Sequence, residues 1–428
     1  MSEAIAAQEA WGAWDDTTRN DPYPRFESMR AECPVHQVRL ADGHDAWLVL
    51  GHDAAREALK DRRLSKDMVA ALQQDPDVVD AGLPGPAFAR HMLSVDPPDH
   101  TRLRRLVARA FAPTRVAALE PSIERIAHEL LDALEATGPD AVVDMVEGYA
   151  HPLPFRVICE LLGVPDDERA GLHQSFRTLF QPWSGSPPPA AVAASDAIVA
   201  SLERLVATHR AQPHDDLVGV LVTASEDDDQ LTEQELLSSL FQLIVAGHDT
   251  TTSLIGNGIV DLVDHPDQLR RLGDDLDRMP AAIEELIRYS APVPHATFRV
   301  TTEPLDLAGV RIPAGKQVLI GLGAADRDPN FYDDPARLDI AREPRAHLGF
   351  GHGIHFCLGA PLALLEARVA FGALLGRFPG LRLAVDRSEL RWTHGDGLVL
   401  RGLDELPIRL GAANPCTNIH IQEKVTES

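Results

Sequence analysis

Apolar residues recur with a helical period along most of the 428-residue chain, and only a few short segments alternate with the two-residue period of a strand. Residues 35–40 (VHQVRL) and 45–50 (DAWLVL) alternate on either side of Ala41-Asp42-Gly43-His44, where Asp-Gly favours a tight turn, so a β-hairpin is predicted. Alternation around His394-Gly395-Asp396-Gly397 predicts a second small sheet. The pattern therefore predicts a mainly α-helical protein with minor β structure.

Stretches rich in proline and glycine mark breaks between the predicted helices. Residues 73–86 and 181–190 are predicted to be loops. Residues 414–428 are polar and lack apolar periodicity, which predicts a mobile tail. We therefore predict one large domain over residues 1–413, mobile over roughly its first 15 residues.

The longest predicted helix begins at a capping box formed by Thr232 and Glu235 and continues to about Val263, before Pro266 ends it. At 1.5 Å per residue it would extend roughly 45–50 Å, enough to cross a whole domain. Polar residues interrupt it and argue against a membrane span: Gln242, His248, Asp249 and Asn257.

Residues 246–252 (AGHDTTT), in the middle of this helix, are poor helix formers, since a glycine there costs about 1 kcal/mol relative to alanine. One interpretation is a solvent-facing polar turn. The other is a local widening where a flat ligand or O2 lies against the helix and a hydroxyl replaces a backbone partner. The helix by itself leaves both interpretations open.

Composition narrows the class of protein. The net charge of −25 opposes binding to the phosphate backbone of a nucleic acid. The four cysteines (Cys33, Cys159, Cys357 and Cys416) are scattered without the spacing of a disulfide framework, which fits a reducing cytosol. The chain opens without a basic segment followed by an apolar one, so we expect a cytoplasmic protein without an N-terminal membrane anchor.

One cysteine, Cys357, has unusual surroundings in residues 350–359 (FGHGIHFCLG). Glycines and histidines lie close to it, namely Gly349, Gly351, Gly353, Gly359, His347, His352 and His355. Four roles are open: a core thiol, a zinc ligand, a catalytic nucleophile, or the axial ligand of a haem iron. Structural zinc sites usually have two or more thiolates, and no nucleophile signature of a known protease type is present.

Haem ligation accounts for more of this pattern than the other three roles do. Glycines permit close approach of the backbone. Pro361 fits the first turn of the helix that follows. Cys357 would then lie near the N-terminus of that helix, whose dipole stabilises a thiolate. This chemistry favours haem and leaves the other roles open.

Several motifs in a fixed order resemble those of cytochrome P-450 monooxygenases. Residues 350–359 match the pattern Phe-x-x-Gly-x-x-x-Cys-x-Gly, and residues 246–251 resemble the oxygen-binding stretch of the family's long central helix. Glu285-Leu286-Ile287-Arg288 matches Glu-x-x-Arg, and Asp334-Pro335-Ala336-Arg337 stands where the third arginine-bearing motif is expected. Residues 96–107 look like the haem-contacting helix. The resemblance extends over residues 21–410. The chain is similar to soluble bacterial members of the family, particularly macrolide and polyketide hydroxylases.

The resemblance implies a helix-rich fold that holds haem b between the long central helix and the cysteine turn. Cys357 would be the axial thiolate, with Phe350, Gly351 and Ala246 also in contact with the haem. The cations expected at the haem propionates are His100, Arg104, Arg299 and His355.

The resemblance also implies roles for two carboxylate-bearing stretches. Asp249 and Thr250 are expected to deliver protons to reduced dioxygen. Glu285 and Arg288 are expected to form a structural ion pair that locks with Arg337. Removing one partner of a buried pair typically costs about 3–5 kcal/mol.

The implied reaction is hydroxylation or epoxidation of a lipophilic secondary metabolite, a macrolide or polyketide, with O2 and two electrons. A steroid or terpenoid substrate and oxidative coupling are alternatives on the same fold. A non-enzymatic haem carrier or gas sensor, and a zinc or cysteine hydrolase, are rivals of a different class. The implied pocket residues are Leu93, Phe176, Leu179, Leu243, Ala246, Val293, Ala296 and Leu398.

The resemblance implies that electrons come from a ferredoxin and its reductase. Docking is expected on the cysteine side of the haem, near Arg102, Arg105 and Arg345. Soluble relatives often carry an arginine where Leu364 stands, and this departure weakens the expected docking patch. We expect a monomer with no membrane span.

Overall fold

Helices dominate the computed structural model, which describes residues 11, 16–40, 43–67, 90–180, 187–212, 214, 216–223, 231–393 and 399–414. In chain order the helices are α1 Asp16–Asn20, α2 Tyr23–Glu32, α3 His52–Ala58, α4 Asp99–Ala108, α5 Pro113–Ala117, α6 Glu120–Glu135, α7 Pro152–Leu162, α8 Asp166–Leu179, α9 Pro189–Ala211, α10 Leu217–Thr223, α11 Glu233–Asp264, α12 Pro266–Asp274, α13 Met279–Tyr289, α14 Leu322–Ala325 and α15 Ala360–Arg377. The predicted mainly helical architecture is confirmed.

The strands are short and form small sheets. They are β1 Val35–Arg39, β2 Asp45–Val49, β3 Leu64–Ser65, β4 Val142–Asp144, β5 His295–Thr301, β6 Leu305–Leu307, β7 Val310–Ile312, β8 Gln317–Gly321, β9 Arg382–Leu383, β10 Trp392–Thr393, β11 Gly402–Leu403 and β12 Pro407–Arg409. The largest described sheet has the order β1-β2-β8-β5-β3, and a second has the order β4-β12-β9. Strands β6 and β7 pair with each other, as do β10 and β11.

The predicted hairpin is confirmed. Strands β1 and β2 pair in antiparallel fashion with Val35 opposite Val49, and β2 continues the sheet through a parallel pairing with β8. The second predicted sheet also forms, since Trp392 pairs with Leu403. Its turn, residues 394–398, lies outside the described residues.

The predicted loops and tail meet the described structure only in part. Residues 73–86 and 181–186 lie outside it. Pro189 and Ala190, the end of the second predicted loop, instead form the first turn of α9, where the missing N–H of proline costs nothing. The Asn414 N–H donates to the Arg377 carbonyl at 2.8 Å, so the first residue of the predicted tail is held on the domain. The rest of the tail lies outside the described residues.

Helix α11 packs against α7, α13 and α15 and begins as predicted. Thr232 Oγ1 accepts the Glu235 N–H at 3.2 Å, and Glu235 Oε2 accepts the Thr232 N–H at 3.0 Å, which completes the capping box. Its 32 residues extend roughly 48 Å. Most of the helix is buried, yet Ala246 near its middle is exposed. In the described part of the chain, no helix combines the length and apolarity needed to cross a bilayer.

Helix α15 crosses α11 at Gly258. A Cβ on Gly258 would lie 2.5 Å from the Phe371 ring, closer than real Cβ contacts allow. Phe371 itself is fully buried. Pro361 stands in the first turn of α15, as predicted. The glycine therefore sets how closely α15, and the turn that precedes it, approaches α11.

A buried ion pair on α13 supports the segment that leads to the cysteine. Arg288 Nε and Nη2 donate to Glu285 Oε2 and Oε1 at 2.7 and 2.8 Å, and the two side chains are 3% and 4% exposed. Arg288 Nη1 also donates to the Asp326 carbonyl at 3.0 Å. Asp326 Oδ1 in turn accepts the Leu348 N–H at 2.7 Å. The pair thus holds the backbone close to residue 348.

The prediction that Arg337 completes this network is wrong. Its side chain is 61% exposed and pairs with Asp339 at 3.2 Å. Arg342 takes the position instead, since its Nε donates to Glu285 Oε1 at 3.1 Å. The carbonyl of Arg337 accepts from Arg288 Nη2 at 3.2 Å. Because the backbone of Arg337 faces the pair, its side chain points to solvent.

Replacing Arg342 by alanine should lower the free energy of unfolding by roughly 2 kcal/mol or more, because it removes a charged hydrogen bond to a buried carboxylate. Arg337→Ala, the matched control, should change that free energy by less than about 0.5 kcal/mol, since its guanidinium is mostly exposed. Urea unfolding followed by far-UV circular dichroism gives both values. Equal losses in the two variants would contradict the assignment of Arg342.

Candidate active site

Two glycines shape the turn that carries Cys357. Gly351 and Gly353 have φ angles of +73° and +76°, a left-handed conformation that other residues rarely adopt. A Cβ on Gly353 would also lie 2.8 Å from the Leu59 carbonyl oxygen. The Cys357 N–H donates to the Phe350 carbonyl at 2.8 Å and closes the turn. The side chain of Cys357 is left exposed just before α15.

The backbone directs hydrogen-bond donors at the Cys357 sulfur. Burial raises the pKa of the thiol, while the N–H groups of Gly359 and Ala360 and the charge of Arg104 act in the opposite direction. The net effect favours the thiol, but these donors and Arg104 are placed to stabilise the sulfur once a metal takes its proton's position. Among the described residues, no group of three potential metal ligands includes Cys357, so a zinc site there has no support.

Exposed apolar side chains lie in the same turn. Ile354 and Phe356 are 46% and 43% exposed, and large exposed apolar residues are few in the described part of the chain. Arg104 Nη2 donates to the Phe356 carbonyl at 2.7 Å and joins α4 to the turn. Two exposed apolar side chains in one turn indicate a surface that binds an apolar ligand.

A cluster of buried cationic side chains lies beside the cysteine turn. Lys66, Arg299 and His100 are 3%, 4% and 2% exposed, and the rings of His100 and His355 are 4.3 Å apart. The ring nitrogens of His100 lack a well-aligned hydrogen-bond partner among the described residues. Three of the residues implied by the resemblance, Arg299, His100 and His355, thus lie together. Lys66, which no motif marked, lies with them.

The pKa values of the cluster show the cost of burying several cations around one carboxylate, Asp96. Burial lowers the pKa of Lys66 well below its ordinary value, that of Arg299 to about 10 and that of His355 to about 2. Asp96 attracts Lys66 and Arg299, but its oxygens are held by the Ser65 hydroxyl and the Lys66 N–H. Buried charges are normally paired. The cluster therefore fits a ligand that brings carboxylates.

Asp249 and Thr250 lie on α11 beside the exposed Ala246. Burial acts to raise the pKa of Asp249, but the hydrogen bond from His248 and the nearby imidazoles outweigh it, so this pKa lies below its ordinary value. The Asp249 carboxylate is therefore ionised near neutral pH and can accept a proton. The Thr250 hydroxyl donates to the Ala246 carbonyl at 2.8 Å, which leaves its lone pairs free to accept a hydrogen bond.

Sequence reasoning missed a buried carboxylic acid next to this stretch of α11. Glu366, on α15, is 1% exposed, and its Oε2 has no hydrogen-bond partner among the described residues. Burial raises the pKa of Glu366 well above its ordinary value, against the smaller effect of a hydrogen bond with Thr251. Burial therefore favours the neutral form of this acid. No motif marks Glu366, because its environment arises only where α15 lies against α11.

The residues predicted to line a substrate pocket divide into two groups. Ala246 is exposed, and Leu93, Val293 and Ala296 are partly buried. Others belong to the main apolar core, namely Phe176, Leu179 and Leu243 at 5%, 6% and 6% exposure. Leu398 lies outside the described residues. The pocket as a whole stays a prediction.

Two of the cations expected to receive a redox partner are engaged within the chain. Arg102 Nη1 donates to Glu235 Oε2 at 3.2 Å. Arg345 Nη1 donates to the Phe331 carbonyl. The charge of Arg102 is partly offset by Glu235, whereas Arg345 is exposed and bonds a neutral carbonyl, so the docking surface stays a prediction.

Several known proteins are similar to this chain over nearly its whole length. The family model described as Cytochrome P-450 matches residues 174–381. Cytochrome P-450 107B1 of Saccharopolyspora erythraea is 45% identical over 94% of this chain and 98% of its own length. The cytochrome P-450 monooxygenase PikC of Streptomyces venezuelae is 45% identical over 93% of each chain. The solved structure of the tirandamycin C-bound monooxygenase TamI is 43% identical, with a TM-score of 0.82 over 93% of this chain and 99% of that one.

An exposed thiol with backbone donors at its sulfur, next to buried cations that outnumber the nearby carboxylate, fits an anionic cofactor with a metal that accepts sulfur. Identity of 45% over nearly the full length of a relative then decides the family. The chain belongs to the cytochrome P-450 family and is an oxidoreductase of the monooxygenase type. This family binds haem through a cysteine thiolate, and the two carboxylates of haem match the buried cations.

Replacing Lys66 by methionine should stabilise the haem-free protein and weaken its hold on haem. The pKa of Lys66 is lower in the folded state than in the unfolded state, so at neutral pH the buried ammonium opposes folding. Removing it should raise the free energy of unfolding of the haem-free protein by roughly 1–3 kcal/mol. Haem should leave the variant faster, because one cation at its carboxylates is lost.

Urea unfolding of the haem-free protein and haem transfer to excess apomyoglobin measure these two effects. Lys316→Met, at an exposed position, is the matched control and should change neither. A lower urea midpoint or slower haem loss in the Lys66 variant would contradict the assignment.

Proposed function

We propose that the chain uses haem b, with Cys357 as its axial thiolate, to insert one atom of O2 into a macrolide or polyketide. The observation that carries this proposal is the accessible Cys357 sulfur with its backbone donors beside the buried Lys66 and Arg299. The names of relatives support the substrate class. They include 6-deoxyerythronolide B hydroxylase, 43% identical, and mycinamicin IV hydroxylase/epoxidase, 40% identical.

The chain's own residues would hold the cofactor and leave the oxidation chemistry to it. Haem, when bound, supplies O2 activation and oxygen transfer. Cys357 would bind the iron, and the carboxylates would be held by Lys66, His100, Arg104, Arg299 and His355. Phe350, Gly351 and Ala246 would provide the surfaces against which the ring packs.

Proton delivery would fall to two residues of α11. The Asp249 carboxylate, ionised near neutral pH, accepts a proton from solvent and passes it on at Oδ1 or Oδ2. The Thr250 hydroxyl, already directed by its bond to Ala246, accepts a hydrogen bond with its free lone pairs and holds the proton donor in place. Two residues on one helical turn can therefore deliver protons without opening the site to bulk water.

The substrate pocket would be apolar, with Leu93, Val293 and Ala296 among its walls. Such walls suit a large lipophilic ring and offer no charge to grip an acid or base. A second candidate substrate is a vitamin D-like lipid, because Vitamin D(3) 25-hydroxylase of Pseudonocardia autotrophica is 40% identical over 96% of this chain. Two electrons would come from a ferredoxin with its reductase, and the chain would act as a monomer.

The carbon-monoxide difference spectrum of the reduced protein tests the axial ligand. A strongly red-shifted Soret band is expected from a thiolate. A band at the unshifted position typical of histidine ligation would overturn the proposal. Titration with macrolides and with vitamin D3 then tests the substrate, where a spin-state shift and a product heavier by one oxygen atom identify the accepted class. Turnover of vitamin D3 alone would replace the macrolide with the second candidate.

Thr250→Ala should retain haem but lower the amount of product per electron pair by roughly tenfold or more, because positioned proton transfer contributes factors of that size or larger. Hydrogen peroxide should rise by the matching amount. Thr252→Ala is the control, since the Thr252 hydroxyl has no hydrogen-bond partner among the described residues, and its coupling should stay near the parent value. Unchanged coupling in the Thr250 variant would remove Thr250 from proton delivery.

A further inference from the structure

Three histidines from different parts of the chain come together beside Asp249. His151 precedes α7, His173 lies on α8, and His248 lies on α11. One ring nitrogen of each lies within 4.8 Å of the others, close enough to share a metal ion after small side-chain rotations. No motif of the sequence analysis used His151 or His173.

The spacing of two of these nitrogens suits a shared metal ion as well as a hydrogen bond. His173 Nε2 is 3.3 Å from His151 Nδ1, within reach of a hydrogen bond between the two rings. Two imidazole nitrogens on a tetrahedral Zn²⁺, each bound at about 2.0–2.1 Å, are roughly 3.3 Å apart.

His248 is the member of the group that is already oriented. Its Nδ1 lies 3.1 Å from Asp249 Oδ1 and donates to this carboxylate, so Nε2 is the nitrogen left for a ligand. The residue is 5% exposed, and Nε2 is buried without a hydrogen-bond partner among the described residues. A histidine whose other nitrogen donates to a carboxylate is the usual form of a metal-binding histidine.

Aromatic packing alone does not account for this arrangement. Phe155 lies 4.7 Å from the His173 ring and 5.3 Å from the His248 ring, and it forms an apolar wall to the group. Packing against Phe155 leaves the buried Nε2 of His248 unsatisfied, which is costly. The nearby positive charge of Arg177 is offset by Glu147 at 2.9 Å, and Asp249 supplies negative charge.

We propose that His151, His173 and His248 bind a divalent cation of borderline softness, best represented by Zn²⁺. Three imidazoles would occupy three positions of a tetrahedron, and water would occupy the fourth. Asp249 would orient His248 through its hydrogen bond. This consequence rests on the proposed role of Asp249 in proton delivery: a bound cation would restrain the Asp249 carboxylate through His248 and slow turnover.

Zinc binding by tag-free, haem-loaded protein tests the site directly, since haem occupies Cys357. Equilibrium dialysis with metal analysis should find one high-affinity Zn²⁺ per chain. His173→Gln and His248→Gln should each weaken this binding by roughly tenfold or more, because each removes one of three ligands. Asp249→Asn keeps all three ligands and should weaken it by roughly 10- to 100-fold. His128→Gln, at an exposed position on α6, is the control and should change nothing.

The outcomes separate this site from the oxygenase function. Equal zinc binding by the parent and by all the histidine variants would overturn the proposal and place the metal elsewhere. Absence of zinc binding, with a shifted pH profile of coupling in the same variants, would also overturn it and make the histidines a proton path to Asp249. Failure of the proposed oxygenase function would appear in the carbon-monoxide spectrum, which zinc binding does not affect.

Discussion

The buried ion pair of Glu285 and Arg288 is the constraint on which the site depends. It holds Asp326, and Asp326 holds the Leu348 N–H at the start of the cysteine turn. Neighbouring residues of α13 act on the same segment: Glu284 pairs with His347 at 2.6 Å, and Gly349 has no side chain to collide with Ile287. One face of α13 thus sets the position of the turn that presents Cys357, so a loss at Glu285 would be felt at the sulfur.

The buried cationic side chains and the acidic side chains of the candidate site lie on different elements. Lys66 and Arg299 are buried next to the cysteine turn with Asp96 as their shared carboxylate, and their burial costs folding free energy that a ligand with carboxylates would reduce. On α11 the pKa of Asp249 is lowered by the imidazoles beside it, whereas on α15 the pKa of Glu366 is raised by burial that its hydrogen bond with Thr251 does not offset. On the proposed function, cofactor retention and proton delivery would fall to separate sets of residues.

His248 connects proton handling with the proposed metal site. One of its nitrogens holds Asp249, and the other is directed at His151 and His173. On the two proposals, the carboxylate that accepts a proton is the same group that would orient a metal ligand. Any cation bound there would reduce the freedom of Asp249 to exchange protons, so the two activities are coupled through one hydrogen bond.

The sequence alone determined the features whose cause lies within a few residues. The capping box at Thr232, the hairpin at residues 35–49, the turn before α15 and the approximate length of α11 were all predictable, because caps, turns and periodicity act over one or two helical turns. The four cationic residues expected at the haem propionates came from motif resemblance.

Tertiary structure decided the features in which burial or distance between remote segments matters. Arg342 replaces Arg337 beside Glu285 because the backbone between them turns the first side chain outward. No sequence motif or spacing marks Lys66 or Glu366, because only tertiary packing removes water from their side chains. His151, His173 and His248 are far apart in the sequence and meet where three helical segments pack. Electrostatic free energy depends on where the chain excludes water, and a linear pattern does not contain that information.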